Sequence, residues 1–162
     1  MSIFGGLFGG PKPGNLDELL DSCETLIEKG QHKKAISLAH AYGDAVFNQG
    51  DINEPCQFYE LGASHLYALI AAHAECATLS GKQLQDSIRG IASQRRYIID
   101  LLNRAKKDPR LLSKVQHYMD VAEATINDLT DRYGSSLDIA ELIAVGELLY
   151  YENRGRVPGT QY

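Results

Sequence analysis

The sequence predicts an all-α protein of about six helices, and three observations carry that expectation. Apolar residues recur at steps of three and four along most of the chain. Breakers such as Gly30, Gly50-Asp51, Ser80-Gly81 and Gly134 divide it into stretches of helical length. No stretch shows the alternation of a half-buried strand. Either an antiparallel bundle or a short helical array satisfies this pattern.

The first 14 residues hold five Gly and two Pro, too many for a helix interior, so residues 1–14 are expected to form a flexible Gly/Phe-rich tail. Residues 15–152 are expected to form one all-α domain, with residues 153–162 as a second flexible tail. The first helix starts at Asn15, with Glu18 as its capping-box partner, and buries Leu19, Cys23 and Leu26 before Gly30. The second, about His32 to Asn48, is expected to bury Ala35, Ile36, Ala39, Tyr42, Val46 and Phe47.

A third helix from near Asn53 to Leu79 is apolar nearly all round, which places it at the centre. The fourth, about Lys82 to Lys107, sets Leu84, Ile91, Ile98, Leu102 and Ala105 on one side, with Arg89, Arg96, Arg104 and Lys107 opposite. Asp108-Pro109 is an N-cap followed by proline at the first helical position, opening a fifth helix that Gly134 stops. Ser135 to Asp138 reads as a capping box for a sixth helix running to about Tyr151.

A chain of 162 residues with 44% apolar and 23% charged residues has the size and composition of a single folded domain. Cys23, Cys56 and Cys76 are odd in number and lack Cys-x-x-Cys spacing, as expected of free thiols in a reducing cytoplasm. The longest uncharged run, Leu61 to Ala74, is shorter than the roughly 20 residues a spanning helix needs. Met1 to Gly14 lacks the pattern of a secretory signal.

Between residues 16 and 63 the chain resembles tetratricopeptide-like helical repeats. In one frame Gly43, Gly50, Tyr59 and Gly62 take the small, turn, aromatic and small positions; in another, Gly30 is the turn and Ala35 the small residue after it. The resemblance implies stacked helix pairs and assigns no functional residue. An irregular bundle remains the competing arrangement.

No constellation of catalytic residues is present, so no enzyme activity and no cofactor or metal are expected. The chain lacks a nucleophile elbow and a phosphate-binding loop, and no Glu has a His three residues later as a di-iron bundle requires. His73 and Cys76, at i and i+3, have the ligand types for a metal or redox site, but His65 lies about 12 Å from His73 along the helix axis. Core packing is the plainer reading.

The net charge of −5 argues against a general nucleic-acid binder. Arg89 to Lys114 nevertheless holds eight basic residues, Arg110 among them, against two acidic ones, a segment suited to nucleic acid or another anionic surface. Arg95 lies about 40° from the mean apolar direction of its helix, so it should be partly buried, either paired with an acid from another helix or snorkelling at the boundary.

The leading expectation is a non-catalytic helical protein–protein interaction module, an adaptor or chaperone-like chain that binds another protein or a second copy of itself. Its candidate contact residues are Phe4 and Phe8 in the N-terminal tail, Arg89, Arg96, Arg104, Lys107 and Arg110 in the basic segment, and Leu148, Tyr150 and Tyr151 in the over-apolar last helix. Two Phe anchors without basic neighbours allow only weak peripheral membrane contact.

Overall fold

The computed structural model describes residues 11–49 and 55–153. These form six helices: α1 (Leu16–Glu28), α2 (His32–Phe47), α3 (Pro55–Cys76), α4 (Gly81–Ala105), α5 (Pro109–Tyr133) and α6 (Ile139–Asn153). No strand occurs among the described residues, so the all-α class predicted from periodicity is the fold adopted. None of these helices is long and apolar enough to cross a membrane.

Residue pairs give the helix directions. Between α3 and α4, Phe58 lies under Arg104, His65 bonds Gln94 and Cys76 bonds Ser87, so these helices are antiparallel. Gly62 against Tyr118, His73 on Asp128 and Tyr133 on the Cys76 carbonyl make α3 and α5 parallel. α2 packs on one flank of α3 and α4 on the other, and the backbones of α2 and α4 do not meet. α5 covers α3 and α4, while α6 lies mainly on α4.

The core has two contiguous regions. One, built from α3 to α6, holds Leu69, Ile88, Ile91, Ile98, Ala122 and Leu129; the other, toward α1 and α2, holds Leu19, Tyr42, Val46, Leu61, Leu101, Val115 and Tyr150. A Cβ on Gly62 would stand 2.6 Å from the Tyr118 ring, and one on Gly146 would stand 2.6 Å from Ala92 Cβ and collide with the Arg89 carbonyl. Close approach of α5 to α3, and of α6 to α4, therefore needs these glycines.

Several ends differ from the sequence expectation. Asn15 makes no side-chain capping bond. The preceding amide, Gly14 N–H, donates instead to the buried Glu60 carboxylate at 2.6 Å, and Pro11 is buried, so residues 11–14 are held against α3 rather than belonging to a free tail. The rest of the expected N-terminal tail, and residues 154–162, lie outside the described residues.

Helix α3 ends at Cys76, not Leu79, because the Thr78 hydroxyl and amide both bond the Glu75 carbonyl in a turn. The α6 cap is Asp138, whose carboxylate accepts from Glu141 N–H at 3.1 Å. Ser135 and Ser136 sit in the preceding turn. At α5 the sequence expectation holds: Asp108 accepts from Arg110 N–H at 3.0 Å, with Pro109 at the first helical position.

Candidate functional site

Among the described residues, the exposed large apolar side chains are Leu148 (61% exposed), Leu149 (36%) and Tyr151 (52%), all on α6. At about 100° per residue, Ala140, Ala144, Leu148 and Tyr151 fall on one outward stripe. All four are exposed. Exposed Glu141 and Glu152 border the stripe on one side, and Glu147 borders it on the other.

Tyr150 does not belong to this surface. It is 1% exposed and meets Tyr97 edge-on at 4.6 Å, while Tyr97 stacks on His65. The helical period puts Tyr150 on the side of Leu142 and Gly146, and the glycine brings that side against α4.

The basic segment does not form one cationic face. Arg89 pairs with Asp86 at 2.6 Å, Arg96 with Asp100 at 3.9 Å and Arg110 with Asp108 at 2.7 Å. Arg89, Arg96 and Arg104 are half-buried rather than opposite the core. Arg104 lies over the Phe58 ring, and Arg96 lies 5.4 Å from the centre of the Tyr151 ring. The cause is that α4 has neighbours on more than one flank. Lys107 and Arg110 remain exposed.

Arg95 has the cross-helix acids its wheel position predicts. Its side chain is 19% exposed; Nε and Nη2 donate to Glu123 of α5 at 2.8 and 2.5 Å, and Nη1 to Glu147 of α6 at 3.4 Å. The cluster ties α4, α5 and α6 together and places a carboxylate beside the outward stripe.

His73 and Cys76 turn to different partners. His73 Nε2 contacts Asp128 at 2.6 Å, and this imidazole together with Arg132 holds the Asp128 carboxyl below its usual range. Cys76 donates to Ser87 at 3.5 Å, and burial pushes its thiol up. Among the described residues no three His, Cys, Asp or Glu side chains converge on a metal position. Phe4 and Phe8 lie outside the described residues.

A concave feature went unseen in the sequence. Because α2 and α4 flank α3 without touching, a slot of about 400 Å³ opens between them, within the range of small-ligand pockets. Ala68 and Ala72 line its floor; Lys33, Ile36 and His40 form the α2 wall, and Ser87, Gly90 and Gln94 the α4 wall. Each wall set has helical spacing, but nothing in one helix reveals the distance to the next.

Comparison with known protein families, with characterised proteins and with solved structures finds no match for this chain.

Proposed function

We propose that the chain is a non-catalytic helical interaction module, and that the outer face of α6 docks an amphipathic helix of another protein. The observation carrying this reading is that, among the described residues, the exposed large apolar side chains Leu148, Leu149 and Tyr151 all lie on α6, whose outer stripe is uncharged. Alanines at 140 and 144 allow close approach of a partner backbone, and Leu148 and Tyr151 supply the anchors. Each anchor contributes roughly 1.5–3 kcal/mol when fully covered.

Charge selects the partner. Glu141 and Glu152 border the stripe, so two copies pairing antiparallel through α6 would bring like charges together. A partner helix bordered by Lys or Arg matches them. The isolated chain is accordingly expected to be monomeric by light scattering.

The test is a photo-crosslinking residue at Leu148, with one at exposed Lys107 as the control. The expected result is a discrete adduct from position 148 only, on a helical segment with a basic border. Equal labelling from both positions, or an adduct with a second copy of the chain, would contradict the proposal.

A further inference from the structure

Among the described residues, four glycines lie in helix interiors, and three are accounted for by what touches them. A Cβ on Gly43, Gly62 or Gly146 would stand 2.6 Å from Ser64 Oγ, the Tyr118 ring or Ala92 Cβ respectively. Gly90 differs. It is exposed in the middle of α4, and nothing lies within 4 Å of where its Cβ would be. Glycine there costs helix stability and relieves no contact within the chain. What it does is widen the slot between α2 and α4 at mid-height.

The slot is chemically graded along its length. Ile36, Ala68 and Ala72 give it an apolar floor and waist. At the inner end stands Gln94, whose Oε1 lies 2.8 Å from His65 Nδ1. Since the amide oxygen only accepts, the imidazole donates from Nδ1, and the carboxamide keeps its two N–H donors for the slot. His65 is fully enclosed, with its pKa pushed down to about 4, so it stays neutral and keeps that tautomer.

His40, on the facing wall, is half-buried, and burial lowers its pKa as well, leaving one N–H and one acceptor nitrogen. The inner end thus offers hydrogen-bond donors and no formal charge. The charged groups lie elsewhere. Lys33 is seven residues before His40, about 10 Å away along α2, and lines the slot with Glu75 and Gln83. Asp86 is engaged by Arg89 at 2.6 Å.

We infer that this slot binds a compact uncharged ligand with an amide- or ester-type carbonyl on a branched apolar body. The carbonyl oxygen accepts from Gln94 and His40, and the apolar body lies over Ala68 and Ala72 in the space left by Gly90. A carboxylate head fits less well, because at the inner end it would lose water without gaining a cation.

The probes are isocaproamide and isocaproate, which share a carbon skeleton and differ in the head group. Each is titrated into the full chain and followed by ¹H–¹⁵N NMR. The expected result is a saturable shift at the Gly90 amide and the Gln94 side-chain amide, with the amide probe binding at least about fivefold tighter than the carboxylate. Gly90→Leu fills the slot from α4 without entering the core. It should weaken the amide probe by at least about tenfold, with the melting temperature unchanged or raised.

Absence of a saturable shift, equal affinity in Gly90→Leu, or a carboxylate that binds as tightly as the amide would each overturn the inference. The site is separate from the α6 face, so either proposal can fail alone.

Discussion

Replacing Gly90 with alanine should stabilise the protein, whereas the same change at Gly146 should destabilise it. Both glycines are helical and both substitutions add one methyl group, so the difference lies in what that methyl meets. At Gly90 it meets nothing within 4 Å, and the gain is the intrinsic preference of a helix interior for Ala over Gly, about 0.8–1 kcal/mol. For a chain of this size that corresponds to a rise of about 2–4 °C in melting temperature.

At Gly146 the methyl would lie 2.6 Å from Ala92 Cβ and also press on the backbone carbonyl of Arg89, which no rotamer change can move. Overpacking of this kind costs about 1–3 kcal/mol. After the propensity gain, a net loss of up to about 2 kcal/mol remains. Urea and thermal unfolding followed by circular dichroism read both values. Stabilisation by Gly146→Ala, or destabilisation by Gly90→Ala, would refute the packing of α6 on α4 or the open slot.

Stability should fall on acidification from about pH 6.5 toward 4. His65 is neutral in the folded state with a pKa near 4, while the unfolded chain takes up the proton near 6.5. The linkage approaches about 1.4 kcal/mol per pH unit and totals about 3 kcal/mol across that window. His40 acts in the same direction, and His65→Gln should flatten the slope in pH-dependent urea titrations.

Arg95→Met should cost roughly 1–2 kcal/mol, because it releases Glu123 and Glu147 from a partly buried cluster whose acids are themselves partly solvated. Removing both acids should then cost little in the Met background and clearly more in the parent, as a double-mutant cycle would show. Glu60→Ala leaves Tyr42 O–H and Gly14 N–H without their acceptor, a loss of about 1–3 kcal/mol per buried group. Limited proteolysis should then cut faster at residues 11–14.

What could be read from the sequence was what depends on one helix at a time. Asp108-Pro109 opens α5 as its chemistry requires, α5 ends before Gly134, and the wheel position of Arg95 put it beside its cross-helix acids. What could not be read depends on how many neighbours a helix has. The pattern set Arg89, Arg96 and Arg104 opposite the apolar side of α4, yet α4 is flanked on more than one side, so they are half-buried. An over-apolar α6 gave no means of separating buried Tyr150 from exposed Leu148 and Tyr151 without knowing which side α4 covers.

Glu60 shows the same limit, since this acid amid Phe58, Tyr59 and Leu61 is buried where Tyr42 of α2 and the Gly14 amide both donate to it. The slot is a property of the gap between α2 and α4. Its one trace in the sequence was Gly90, a glycine in mid-helix with no turn to serve.

The central claim is that the outer stripe of α6 is the docking surface. Its most direct test is the affinity of the chain for the segment crosslinked from position 148, prepared as a peptide, with and without the Leu148→Asp and Tyr151→Asp changes. Both side chains are exposed, so the double variant should melt like the parent. The account predicts peptide binding weakened by at least about tenfold; unchanged affinity in a folded double variant would contradict it.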